Sequence, residues 1–310
     1  MDVDTASKAH RPHPFLSVML LLILFIFCLF IGQAASWGIL KVVYGYTSDV
    51  LKDLAVHPED FPNSRMALLL HHAIGSIVFG FVLSSYLWKK LIEKESYSSF
   101  FAYDHQNLPL LASIACLATI LSTPLNSVFI SLNKKLALPP ILEEIEIKMR
   151  AMEDSSERLV KFLTDFQNPQ EIAMAVLVMG ALTGLGEELF FRGAIQKKLT
   201  KWIKNPHIAI WIASAFFSFV HFQFYGFIPR MLLAALFGYM YYWSGNLWVP
   251  IIAHACNNSF TIAALYISKD YEDTSSLVES TEMMPIPAVV ISLVLTSLLL
   301  YFFKKNSRKL

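Results

Sequence analysis

Apolar residues run along this chain in long unbroken blocks, and polar residues collect in the gaps between them. Blocks long enough to cross a bilayer, roughly 17–25 residues, fall at about 14–40, 66–88, 108–132, 172–191, 207–225, 247–267 and 284–303. A shorter block at 230–243 follows Pro229 too closely behind its neighbours to be a soluble excursion, and it counts as a span. The pattern predicts about eight helices, because in lipid every backbone N–H and C=O must find its partner within its own segment. The fold class is therefore all-α, a polytopic transmembrane helical bundle. The segment 133–170 breaks the rhythm: Ile141, Leu142, Ile145, Ile147, Met149, Leu159, Phe162, Leu163 and Phe166 recur at helical spacing on a charged background. That spacing predicts an amphipathic helix lying at the outer interface or packed against the bundle.

Composition agrees. Of 310 residues 55% are hydrophobic and 16% charged, against about 25% charged in soluble domains. The net charge of +1 gives no reason to expect nucleic acid. Cys28, Cys116 and Cys256 stand singly in apolar runs and read as small buried side chains. Lys8 and Arg11 precede a first apolar run longer than a cleaved signal sequence, so a retained first span is expected. With the N-terminus inside, 14 of the 25 Lys and Arg residues fall on the inner side, among them Arg192, Lys197, Lys198, Lys201 and Lys204. Both termini are accordingly expected in the cytoplasm of a plasma-membrane protein. Asp270, Glu272, Asp273, Glu279 and Glu282 then lie outside. Trp37, Trp88, Trp202 and Trp248, near span ends, fit an interfacial aromatic belt.

The chemistry sits where lipid makes polarity expensive. An ionisable group at bilayer depth costs at least about 2.5 kcal/mol and marks a functional site by default. Glu187 and Glu188 lie late in the fourth block, and Arg192 is four residues beyond Glu188 on the same helical face. Glu188 and Arg192 therefore read as an ion pair, leaving Glu187 free to face a cavity. The alternative is a pair of carboxylates reaching for water at the membrane edge. His221, behind Phe217, lies deep in the fifth block; alone, it reads more simply as a hydrogen-bonded packing residue. His254 and Asn258 stack on one face of the seventh at i, i+4 spacing. Helix-to-helix hydrogen bonding would explain them equally well in isolation. Together, one glutamate, two histidines and an asparagine on three of the long blocks form a concentrated set of proton-transfer and metal-binding groups. His71 and His72 read as interfacial, and Pro124 and Asn126 as a kink or helix contact.

Glu187-Glu188-x-x-x-Arg192, Phe217-x-x-x-His221 and His254-x-x-x-Asn258, in that order, resemble the three motifs of the CAAX-protease and bacteriocin-processing family of intramembrane proteases. The stretch Gly245-Asn246-Leu247-Trp248-Val249-Pro250 is similar too, and the resemblance covers about 170–265. It implies an intramembrane metalloendopeptidase with its active site inside the bundle. Glu187 would activate the attacking water with His221 beside it, and His254 and Asn258 would bind metal or donate to the oxyanion. Glu188, Arg192 and Phe217 would support them. The cofactor it implies is Zn2+, held through Glu187, His221 and His254. The substrate would be a peptide or a membrane-anchored protein. Three regions follow: N-terminal spans and the outer amphipathic segment at 1–170, the catalytic core at 171–267, and an outer loop, last span and basic tail at 268–310. Rival readings are a catalytically silent scaffold or immunity protein on the same fold, and a proton-coupled transporter. The chain shows no duplicated halves of the kind transporters carry.

Overall fold

The computed structural model describes residues 12–54, 56–101, 107–268 and 283–307, and every regular element among them is helical. Helix α1 spans Pro14–Tyr44 and α2 Ser64–Ile92; the two lie side by side. A bent pair follows, α3 (Leu108–Leu121) and α4 (Thr123–Lys134), turning by 44° at the break before Pro124. Then come α5 (Glu143–Thr164), α6 (Pro169–Ile203), α7 (Pro206–Phe219), α8 (Phe227–Ser244), α9 (Trp248–Ser268) and α10 (Ile286–Asn306).

Each apolar block of the sequence coincides with a helix, and the expected count of eight spans is not confirmed. Among the described residues four helices are long and apolar enough to cross a membrane, α1, α2, α6 and α10, and a fifth if α3 and α4 form one span. The chain is thus a multi-pass membrane protein. Helix α7 has 14 residues, about 21 Å of rise against a hydrocarbon core of about 30 Å. Helices α8 and α9 are long enough, but Arg230 interrupts the first and His254, Asn257 and Asn258 the second. Polar site residues lie on these helices as well as on α6. Helices α7 to α9 are sheltered by their neighbours: α7 packs on α8, and α9 lies between α3 and α6.

Glycine sets how closely α9 approaches α6. A Cβ on Gly184 would stand 2.9 Å from the backbone nitrogen of Ala255, and one on Gly180 would stand 2.5 Å from the Ser259 hydroxyl. Backbone cannot yield as a side-chain tip can. This contact therefore brings Glu187 and Glu188, on the turn after Gly184, against His254. Helix α5 is as amphipathic as its spacing predicts. Its last turns pack through Leu159, Phe162 and Leu163, while Ile145, Ile147 and Met152 near its start remain exposed. The belt reading fails for one tryptophan. Trp88 is buried and donates its indole N–H to Ser17 at 3.0 Å, because it sits beside a buried ion pair of Lys198 with Glu93. Cys28 is buried, whereas Cys116 and Cys256 are only partly so. Lys8, Arg11 and the acidic outer residues lie outside the described residues.

Candidate active site

Helix α6 starts on Asn168, whose side chain accepts from the Glu171 N–H, with Pro169 in the first turn. Within this helix Thr183–Glu188 is regular α, flanked by wider π-helical turns at Val176–Leu182 and Leu189–Gln196. Such turns in a helix frequently accompany function. Their effect here is to bring both carboxylates and Arg192 inward: Glu187 is 6% exposed, Glu188 0% and Arg192 1%. The opposing wall is α9. Gly245, in the left-handed region at φ 64°, ends α8, and the Asn246 side chain accepts from the Trp248 N–H to begin α9. The motif-like stretch 245–250 is therefore a helix-to-helix joint that fixes where His254 falls.

Glu188 is the hub. Its Oε1 accepts from Arg192 Nη1 at 2.9 Å and from His254 Nδ1 at 2.8 Å. Arg192 is held further by the Ala234 carbonyl at 2.6 Å and by the rings of Phe217 and Phe237. Phe237 also stacks on the His254 imidazole at 5.0 Å. A carboxylate only accepts, so the His254 proton on Nδ1 faces Glu188 and Nε2 is turned to the other side. There it meets Glu187 Oε2 at 3.8 Å. Glu187 accepts no hydrogen bond from any described residue, so the two carboxylates differ in their partners: Glu188 pairs with Arg192 and His254, and Glu187 only faces His254.

The structure does not gather every residue the sequence nominated. His221 comes just past the end of α7 and donates from Nδ1 to the Phe217 carbonyl at 2.8 Å, leaving Nε2 open. The Phe217 ring lies beside both imidazoles, 5.0 Å from that of His221 and 6.0 Å from that of His254. Asn258 spends its amide N–H on the Met179 carbonyl at 2.9 Å, two turns before Glu187 on α6. Among the described residues no three of His, Cys, Asp and Glu come together closely enough to hold a metal ion. Glu187 and His254 offer two converging donors, and the His221 expected as a third is not gathered with them. The residues as placed do not fit a three-ligand zinc site.

One group escaped the reading of the sequence, and another, His72, was read only as interfacial. Arg230 on α8 lies among the charged neighbours of both Glu187 and His221. His72 on α2 is also near His221 and meets the Thr183 hydroxyl at 3.5 Å. A lone arginine in an apolar block is itself a signal, and Arg230 carried it.

The fold and site define a membrane helical bundle with a buried glutamate and histidine pair backed by a glutamate and arginine hub. Residues 169–260 match the family described as type II CAAX prenyl endopeptidase, Rce1-like, so the resemblance read from the three motifs holds over that segment. An uncharacterized protein of Bacillus subtilis, YpbD, is 35% identical over 83 residues, which cover 26% of this chain and 39% of YpbD. The aligned part is thus well under half of either protein. No solved structure matches the chain.

Proposed function

We propose that this protein is an intramembrane endopeptidase in which Glu187 and His254 activate water against a peptide bond. The observation that carries the reading is the facing of Glu187 Oε2 and His254 Nε2 across 3.8 Å, with His254 oriented from behind by Glu188. A water touching both atoms gives a proton to Glu187 as its oxygen bonds to the peptide carbonyl carbon. When the C–N bond breaks, that proton passes to the departing amine, which leaves a carboxylic acid and an amine. His221, whose Nδ1–H is spent on the Phe217 carbonyl, presents Nε2 as a hydrogen-bond acceptor for the water or the departing amine. General acid–base help of this kind is worth about 10²–10⁴ in rate. The match of 169–260 supports the peptidase class.

The test is hydrolysis of a library of quenched apolar peptides by detergent-purified protein in ¹⁸O water. Cleavage with one label in the new carboxyl end is the expected result. No cleavage of any member would leave the silent-scaffold reading in its place.

We propose as well that both ends of the chain face the cytoplasm. With both ends of the chain in the cytoplasm, a cysteine placed at exposed Asn306 stays unlabelled by a membrane-impermeant maleimide in intact cells and reacts once cells are opened. Labelling in intact cells reverses the topology. Neighbouring Ser307 is buried and would stay silent either way.

A further inference from the structure

One charged group near the site has no task in this chemistry. Arg230 lies in the first turn of α8, and its guanidinium folds back over Gly226, where a Cβ would meet Nη2 at 3.2 Å and Nη1 at 3.4 Å. Nη2 donates to the Gln223 side-chain oxygen. Nη1 is buried and has no hydrogen-bond partner among the described residues. No ion pair among those residues includes Arg230. The charges that face it are Glu153 of α5, Glu187 of α6 and, from the turn after α7, His221 when protonated. Glu153 is itself engaged by the Tyr225 N–H at 3.3 Å, and burial pushes its carboxyl up, which weakens its claim on the arginine.

A guanidinium cannot shed its proton to escape burial. Its planar fork matches a carboxylate with two parallel hydrogen bonds, and that match is what arginine offers over lysine. Here one prong is empty and the other rests on a neutral amide that is easily exchanged. The amide belongs to Gln223, which also lines a cavity of about 570 Å³ between α5 and the end of α9, where Arg158 and Lys161 offset Asp154 and Glu157 beside Leu265. Gln223 thus joins the fork to that cavity, while Glu187 and His221 lie among the fork's charged neighbours.

We propose that Arg230 is the specificity-determining anchor of the peptidase: a carboxylate of the bound peptide displaces the Gln223 amide and takes both Nη atoms, with the adjoining peptide in the α5–α9 cavity. This rests on the peptidase reading. The carboxylate is either the peptide's own C-terminus or an Asp or Glu side chain, and the two sources are separable.

Four N-acetylated, fluorescently labelled octapeptides of one apolar sequence serve as probes, ending in acid or amide and carrying Glu or Gln at the next-to-last position. Binding to the full-length protein in micelles is measured by anisotropy, and cleavage in parallel. Wild type is expected to bind peptides with the right carboxylate about ten- to hundredfold more tightly than their neutral partners, the range for a hydrogen-bonded charge. The end-group pair or the Glu/Gln pair shows which source is read. Arg230→Met should remove the preference and Arg230→Lys keep part of it. Gln223→Glu, which supplies an internal carboxylate, should weaken acidic-peptide binding about tenfold even if Arg230→Met does not fold. Equal binding of all four peptides, no binding of any, or wild-type acid binding by Gln223→Glu overturns the proposal. Carboxylate-dependent binding without cleavage sinks the peptidase reading and spares the anchor; cleavage without discrimination does the reverse.

Discussion

Glu187→Gln is expected to give a folded protein that no longer turns over, and Glu188→Gln a protein that is hard to keep folded. The two glutamates are neighbours in sequence and both buried, so only their partners distinguish them. Glu187 bonds to no described residue and stands 3.8 Å from the His254 imidazole. Making it an amide removes a base and breaks nothing, and a fall of at least about 10²–10⁴ in rate follows. Glu188 sits at 0% exposure between Arg192 and His254. Its loss strands a guanidinium that is 1% exposed. Removing one partner of a buried pair costs about 3–5 kcal/mol, a large share of what holds a domain together. The measurement is a thermal melt of each variant in micelles beside its turnover of a cleaved peptide. The expected pattern is an unchanged melt with no activity for Glu187→Gln, and a lowered melt or lost expression for Glu188→Gln. Equal behaviour of the two in both assays would show that the carboxylates share one role. Arg192→Met supplies a cross-check. It leaves Glu188 buried with His254 as its remaining partner, so it should fall with Glu188→Gln and not with Glu187→Gln.

How much of this was legible beforehand follows from which physical rule each feature obeys. The helices are legible because length and apolarity are local properties, and the Glu188–Arg192 pair because i, i+4 spacing on a helix is too. The bend at Pro124 and the amphipathic α5 follow for the same reason. The span count is not legible by pattern alone. Helices α7, α8 and α9 need only be apolar where they meet neighbours, so apolar runs there do not measure bilayer thickness. The His254 contact with Glu188 was missed, because spacing gives the face of a helix but not which of two adjacent carboxylates a partner helix meets. That choice is made by Gly180 and Gly184, which set how close α6 and α9 come. Asn258 shares a helical face with His254, yet the same close approach commits its amide to the Met179 carbonyl. Arg230 was missed although the cost of a charge in an apolar block could have flagged it, and its pairing with Gln223 across a turn leaves no mark in the sequence.

Removing metal is the second measurement with a large expected effect, and here the placed residues oppose the expectation drawn from motif resemblance. Zinc sites in hydrolases take three protein donors and leave one position for water, with donor distances near 2.0–2.2 Å. Two donors on that scale can stand up to about 4 Å apart, so Glu187 Oε2 and His254 Nε2, at 3.8 Å, could both reach one ion. The third donor is what fails: among the described residues His221 is not gathered with them. Protein purified through strong chelator is therefore expected to cleave peptide at an undiminished rate and to carry far less than one zinc per chain by elemental analysis. His254→Ala should nonetheless abolish turnover, because it removes the group that holds water beside Glu187, with a loss of about 10²–10⁴. The two results must be read together, since either a metal ligand or a water-orienting histidine loses activity on truncation. If wild type retains one zinc per chain, loses its activity to chelator, and gives up that zinc in both Glu187→Ala and His254→Ala, then His221 or water completes a metal centre that the ion itself draws together. Full activity in chelator, with His254→Ala inactive, leaves the catalytic chemistry to the protein's own side chains, with Glu187 and His254 at its centre.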